Sequence, residues 1–473
     1  MGRGRGLVAC GVAVALMSTV SGARGSAVPA RASTVTTPPN IVLILTDDQR
    51  WNSLWAMPNV QSDLAAKGVT FSNSFVVDSL CCPSRASILT GKYSHGTSVY
   101  ANAGDYGGFH RFSDVSTVAT WLHGAGYHTG LVGKYLNGYK FNYIPPGWDR
   151  WFAVQQGVID NESAYYYNYS VLDQSTPVTY GNSPAEYSTD VFAAQADSFI
   201  RGADQAQPLF LYFAPAAPHF PAKPADRYQS AFPDLTPVRP PNYNEAQVFD
   251  KPAYIRRQKL LGPVDLATVD AFEVNQYRTL LAVDDAVHTI VTALADTGRL
   301  ANTMIVFASD NGLTLAEHRW KTGKLVPYEE SIRVPLVIRY DPLTASPSVD
   351  DHMVANIDLA PTFAEAAGVS APGAEGLSLV PLLSGQPPPT WRSDFLIEHM
   401  QYKDPVPSYC AVRTAQSLFV TYNTGETEFY DLNADPFELV NKAADPAYAS
   451  DVAALSTRDH ELCTPVPPGF VWP

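Results

Sequence analysis

Three short apolar runs decide what this chain can fold into. Ile41-Val42-Leu43-Ile44-Leu45, Leu209 to Phe213 and Met304 to Phe307 are continuously hydrophobic. A strand with one wet face alternates in polarity, whereas an unbroken run needs cover on both faces, as in the middle of a mostly parallel sheet. Each run also leads into polar residues: Thr46-Asp47-Asp48, Pro218-His219, and Ser309-Asp310-Asn311-Gly312. Parallel strands deliver such residues to one carboxyl edge, where ligands of open α/β sheets bind.

Helical patterns fill the intervals. Val60 to Lys67 closes at Gly68, Asp190 to Ile200 has helical apolar spacing, and Phe272 to Leu294 is a long amphipathic stretch ending near Gly298. The alternation predicts an α/β domain over 40–370, with Pro233 to Pro252 as a surface excursion. Beyond it, Asp394 to Ile397, Cys410 to Arg413 and Leu418 to Tyr422 are short strand-like runs. With the turn Asn423-Thr424-Gly425 and a helix around Ala447 to Ser456, they predict a small antiparallel-sheet subdomain over 371–473. Asp284-Asp285 falls inside the long helix and reads as structural.

The first 27 residues read as a secretory signal peptide. Arg3 and Arg5 precede the apolar Leu7 to Val20, and Gly25-Ser26-Ala27 supplies small residues for cleavage. The apolar run is too short for a membrane span, and 28–39 serves as a linker. Export implies an oxidising compartment. The formal charge of −14 over 473 residues argues against nucleic-acid binding or a general affinity for anionic membranes.

The segment Cys81-Cys82-Pro83-Ser84-Arg85 through Thr90-Gly91-Lys92 carries the most chemistry. By spacing alone the cysteines suit structural thiols or half a disulfide. They equally suit an anion site, where a helix start and a guanidinium meet. The string resembles the signature of the type I sulfatases, and most of all that of the N-acetylglucosamine-6-sulfatases and extracellular endosulfatases. The resemblance implies an alkaline-phosphatase-like fold and oxidation of Cys81 to formylglycine by a formylglycine-generating enzyme. It also implies a reaction in which the hydrated aldehyde attacks sulfur, the alcohol departs, and the second hydroxyl expels sulfate.

Paired acids at a strand end can simply cap a turn. Asp47, Asp48, Asp310 and Asn311 together form an oxygen set suited to a hard cation. With the modified Cys81 they match the family's calcium ligands. Arg85, Lys134 in Gly133-Lys134-Tyr135, His219 in Ala217-Pro218-His219-Phe220-Pro221, and Lys324 match positions that bind sulfate or move protons; His219 or Lys324 is the candidate acid. Asn137, His95 and His318 are candidate substrate contacts.

Two departures from the broader pattern stand out, the first shared with the glucosamine-6-sulfatase group and bearing on the partner of Lys134, the second bearing on substrate contacts. Leu136-Asn137 follows Lys134-Tyr135, where many sulfatases have a histidine, and Thr314 and Ala316 stand where relatives often have His and Gly. The resemblance includes Met57-Pro58-Asn59, Pro145-Pro146-Gly147-Trp148, Arg333-Val334-Pro335 and Tyr430-Asp431-Leu432, and runs over nearly the whole mature chain. Asn161-Glu162-Ser163 and Asn168-Tyr169-Ser170 are glycosylation sequons. With Cys10 in the leader and Cys81 and Cys82 in the motif, Cys410 and Cys463 are left as a disulfide pair. The expected activity is hydrolysis of a sulfated glycan. A broad aryl sulfatase, a phosphonate or phosphate ester hydrolase of the same scaffold, and a glycan-binding protein with an unmodified cysteine are the alternatives.

Overall fold

The strand Asn40–Thr46, buried at every residue, is the axis of a ten-stranded sheet. The computed structural model describes residues 1–2, 38–140, 142–155, 165–344 and 346–473. The leader, nearly all of the linker and the sequon at Asn161 lie outside them. Asn40–Thr46 pairs in parallel with Leu209–Ala214 on one side and with Thr303–Ser309 on the other, so the three apolar runs lie side by side. His128–Gly133 and Arg150–Val154 continue the parallel set beyond Leu209–Ala214. Ser170–Asp173 and Thr176–Thr179 finish one flank antiparallel, and on the other Leu336–Arg339 runs antiparallel to Thr303–Ser309 and is followed by Val69–Phe71 and Ser348–Asp350.

Both faces are covered, which is why the central strands carry no polarity alternation. Ile41, Leu43 and Leu45 face a core shared with the helices Cys81–Thr90, Val118–Gly124 and Leu359–Ala367. Val42 and Ile44 face the opposite core, with the helices Ser188–Gly202 and Pro263–Asp296. Leu379, Leu382 and Leu383 join the first core, and the small sheet begins only at Asp394. Its four strands, Asp394–His399, Tyr409–Thr414, Ser417–Tyr422 and Thr427–Asp431, form an antiparallel meander. The helix Ala449–Leu462 completes the expected helix here, and a disulfide joins Cys410 to Cys463. Closing that loop of 53 residues is worth about 4 kcal/mol in the chain-entropy account. Among the described residues, no helix is long and apolar enough to cross a membrane.

Three expectations need correction. Val60 to Lys67 is not an α-helix but a π-helical turn followed by a 3-10 turn, and Gly68 does not cap it in the left-handed region. Gly68 is required by closeness: a Cβ there would stand 2.3 Å from the Ile338 carbonyl oxygen. The long helix starts at Pro263, nine residues before Phe272, because Pro263 suits a first helical turn. The segment Pro233 to Pro252 is only partly superficial, since Asn242, Glu245 and Lys251 in it are buried. Asp284 is structural as expected, its carboxylate accepting from the backbone N–H groups of Asn59 and Val60.

Asp459 lies on the buried face of the helix Ala449–Leu462, fully enclosed beside Thr421. Burial pushes its carboxyl up to about 7. The unfolded chain ionises it near 4, so the folded state binds the extra proton and stability falls as pH rises from about 4 to about 7. Asp459→Asn is therefore expected to raise the unfolding free energy at pH 8 by as much as about 4 kcal/mol while changing little at pH 4. Denaturant titration at both pH values checks this, and a gain of equal size at both would contradict the burial argument.

Candidate active site

Four neighbouring parallel strands end at the same edge, and each hands one polar group to the same spot. Asn40–Thr46 leads into Asp47 and Asp48, Thr303–Ser309 into Asp310 and Asn311, and His128–Gly133 into Lys134. His219 follows Leu209–Ala214 by five residues. Backbone bonds from Asp310 N to Thr46 O (3.1 Å), Asp47 N to Ala217 O (3.2 Å) and Lys134 N to Ala214 O (2.8 Å) lock these ends together. Gly133 is obligatory at φ 116°, because a Cβ there would lie 2.0 Å from the Ala214 carbonyl oxygen. Asp48 takes the left-handed region itself, at φ 65°, a strained conformation held by its surroundings.

The helix Cys81–Thr90 points its start at this edge. All ten of its residues are buried, and Gly91 ends it in the left-handed region with a bond to Ser87 O. Cys81 stands first in the helix, where unpaired N–H groups and the helix dipole favour an anion. One turn on, Arg85 gives its Nε to Asp310 Oδ2 (2.7 Å), its Nη1 to the Lys134 carbonyl (2.9 Å) and its Nη2 to Asp47 Oδ2 (3.3 Å). Ser84 Oγ donates to the Asp310 carbonyl and accepts from Asn356 Nδ2 at 2.9 Å. These bonds fix the helix to three strand ends.

The charged groups interlock around Cys81. Lys134 Nζ donates to Asp47 Oδ2 and Lys324 Nζ to Asp48 Oδ1. Lys324 Nζ also lies 2.7 Å from Cys81 Sγ, and Sγ lies 3.5 Å from Asp47 Oδ1. Asn311 Nδ2 reaches Asp48 Oδ1 at 2.6 Å, and His219 Nε2 lies 3.7 Å from Asp48 Oδ2. Donor atoms of Asp47, Asp48, Cys81 and His219 all lie within 4.8 Å of one another, a grouping able to hold a metal ion. Lys324 is carried by a loop pinned by the bonds between Thr314 and Gly323.

Burial and pairing set the charge states. For Asp47, burial alone would raise the carboxyl, but Lys134, His219, Arg85 and Lys324 outweigh it and hold it well below the usual carboxylate range. Asp310 moves the other way, lifted by burial and then by Asp47. Burial alone would lower Lys324, yet Asp48 and its other anionic neighbours hold it well above the usual amine range. The Cys81 thiol is pushed up to about 12 by burial and by Asp47.

The structure therefore gathers Asp47, Asp48, Cys81, Arg85, Lys134, His219, Asp310, Asn311 and Lys324 into one cluster. Asn137 sits beside Cys82, with its side-chain oxygen buried and without a hydrogen-bond partner. His95 and His318 are not brought in. His95 Nδ1 bonds Glu398 at 3.0 Å and its Nε2 lies 3.4 Å from Glu375, and these carboxylates, after a burial effect of opposite sign, lift it to about 10. His318 is fully buried, with Nδ1 on Glu245 Oε2 at 2.7 Å and its ring 4.3 Å from that of Tyr328. Asn356 and Tyr165 were not legible as site neighbours. Asn356 is 272 residues from the Ser84 it holds, and Tyr165, whose ring meets that of His219 at 5.0 Å, carries no local motif.

Comparison with known proteins agrees with this geometry. Residues 39–369 match the Sulfatase family, and residues 316–463 match the family described as N-sulphoglucosamine sulphohydrolase, C-terminal. An N-acetylglucosamine-6-sulfatase of Homo sapiens is 33% identical over 459 residues, covering 86% of this chain and 82% of the relative. An extracellular sulfatase SULF-1 homolog of Drosophila melanogaster is 36% identical over 372 residues, covering 76% of this chain; the match spans only 33% of that longer protein. A solved protein in complex with its substrate D-glucosamine-2-N,6-O-disulfate superposes with a TM-score of 0.79 at 25% identity, over 90% of this chain and 98% of the other. The phosphonate monoester hydrolase of Agrobacterium radiobacter shares the fold, with a TM-score of 0.70 at 22% identity over 90% of this chain and 96% of the other. By its strand-end acids, its cysteine helix and the match over most of its length, the chain belongs to the sulfatase family.

Proposed function

We propose that this protein hydrolyses the sulfate ester of 6-sulfated N-acetylglucosamine or a related sulfated glycan, with formylglycine at position 81 and a calcium ion at the strand-end acids. The observation that carries the reading is the seat of Cys81: first in a buried helix, between Asp47 and Lys324, above an arginine joining two acidic strand ends. A thiol lifted to about 12 is about one part in 10⁵ thiolate at neutral pH, so an unmodified cysteine is a poor nucleophile here. Formylglycine, when present, supplies a hydroxyl nucleophile that needs no thiolate. Because Cys81 is 1% exposed, the formylglycine-generating enzyme has to reach it before the fold closes.

Asp47, Asp48, Asp310 and Asn311 would hold calcium, which supplies a Lewis acid next to the sulfate. The donor set fits: it is buried and built of oxygen atoms, and the side-chain oxygen of Asn311 has no hydrogen-bond partner. Lys134, Lys324 and Arg85 keep their charges and stabilise negative charge on the transferring group. Lys324 is tied to Asp48 and Cys81, so proton delivery to the leaving oxygen is assigned to His219. That histidine is partly open to solvent and sits opposite Asp48. Extracellular action is consistent with the leader-like start of the sequence and with relatives named extracellular sulfatases.

This reading sets the outcome of assays on substrate choice, on position 81 and on the metal. The purified protein is expected to turn over nitrophenyl sulfate in strong preference to nitrophenyl phosphate, and N-acetylglucosamine 6-sulfate better than either. The tryptic peptide containing Cys81 should show an aldehyde mass, and Cys81→Ala should lose at least about 10³-fold in kcat. A thiol mass in fully active protein, or a phosphate preference, would overturn it. Chelation is expected to lower both activity and Tm, with calcium restoring both; at a hundredfold excess over Kd the stabilisation is about 2.7 kcal/mol. Asp48→Asn should need at least tenfold more calcium for the same rise in Tm, and an unchanged Tm on chelation would refute the metal assignment.

A further inference from the structure

Phe220 follows His219 directly and is 51% exposed, an unusual place for a large apolar ring with no polar handle. It is held there from both sides. His219 Nδ1 donates to the Phe220 carbonyl at 2.7 Å, which leaves His219 Nε2 facing Asp48. The Phe220 ring rests against Phe272, with centroids 5.8 Å apart. Phe272 lies one helical turn before Gln276, whose side-chain amide donates to the backbone carbonyls of Asp48 and Pro218 at 3.4 and 3.3 Å. Residues four apart share a helix face, so Phe272 stands on the same side of this helix as Gln276, about 6 Å from it along the axis.

A third ring borders the same histidine. Tyr165 meets the His219 imidazole edge-on at 5.0 Å, and Lys134 Nζ lies 5.8 Å above the Tyr165 ring. Lys134 in turn pairs with Asp47, so the tyrosine belongs to the wall of the charged cluster. His219 thus has the half-buried Tyr165 ring at its edge and the exposed Phe220 next to it in the chain. The charged groups account for binding of a sulfate but provide nothing for the apolar faces of the alcohol that leaves. A pyranose ring presents C–H groups on its faces and hydroxyls at its rim, a shape that an aromatic platform with polar groups at its edge accommodates.

We propose that Phe220, backed by Phe272 and next in the chain to His219, is the platform on which the sugar ring of the substrate stacks. It thereby positions the leaving oxygen at His219 and selects sugar sulfates over compact ones. The proposal rests on the sulfated-glycan reading. The test compares wild type, Phe220→Ala and Phe220→Trp on N-acetylglucosamine 6-sulfate and on a short alkyl sulfate. In Phe220→Ala the ratio of sugar to alkyl kcat/KM should fall at least fivefold, mainly through a higher KM for the sugar, and Phe220→Trp should recover it. An equal ratio in wild type and Phe220→Ala, with wild type active on the sugar, overturns the platform alone. Wild type that cleaves the alkyl sulfate but no sulfated sugar overturns the glycan reading and the platform with it.

Discussion

Arg85 is a guanidinium with no exposed surface, and the arrangement of the site follows from how it is satisfied. Removing such a charge from water costs several kcal/mol and is tolerated only with well-placed partners on most of its donors. Here the partners are Asp310, Asp47 and the Lys134 carbonyl, drawn from three different strand ends. The same bonds that offset the desolvation of Arg85 therefore fix the distance between the strand carrying Asp47, the strand carrying Asp310 and the helix carrying Cys81. Loss of both carboxylates would leave a buried charge uncompensated, a defect that costs about 3–5 kcal/mol in a simple buried pair, so the site's geometry is tied to the stability of the sheet.

The second set of constraints comes from the small sheet. Glu428 is buried and accepts from three tyrosine hydroxyls: Tyr328 at 2.9 Å, Tyr430 at 2.5 Å and Tyr422 at 2.6 Å. Tyr409, on the strand Tyr409–Thr414 of the same sheet, donates to the Leu325 carbonyl at 2.9 Å. Tyr328 and Leu325 flank the stretch that begins at Lys324, so the small sheet holds the lysine that reaches Cys81. The loop before it is bonded to the excursion 233–252, through Arg319 to the Glu245 carbonyl and through His318 to Glu245. This explains why a proline-rich stretch that looks superficial in sequence carries buried polar residues.

How much of this was legible depends on the range of the forces involved. The central strands could be read because burial on both faces writes itself into a contiguous run of residues, and the acids and lysine after them follow from chain direction. Val60 to Lys67 misled because apolar spacing reports which residues are buried but not the pitch of the turn, which is set by the distant Asp284 and the nearby carbonyl of Ile338. His95 and His318 looked available for the same reason. Their partners Glu398, Glu375 and Glu245 lie far off in sequence, and only the fold shows that those carboxylates occupy the ring nitrogens. The Arg85 network was readable in composition and not in connectivity: the motif supplied the residues, and the topology decided which of them touch.

The overall charge of −14 does not extend into the site. Three carboxylates, Asp47, Asp48 and Asp310, face three cations, Arg85, Lys134 and Lys324, inside a site with little access to water. The acids are spent on holding the cations in place, which leaves the cluster near neutral before anything binds. A divalent cation together with a singly charged sulfate ester changes that balance by one unit, whereas the cation alone changes it by two. Low dielectric makes each unit costly, so the proposed metal and an anionic substrate would support one another's binding at this site. Specificity for the rest of the substrate then has to come from uncharged groups at the rim, the role proposed for the exposed Phe220.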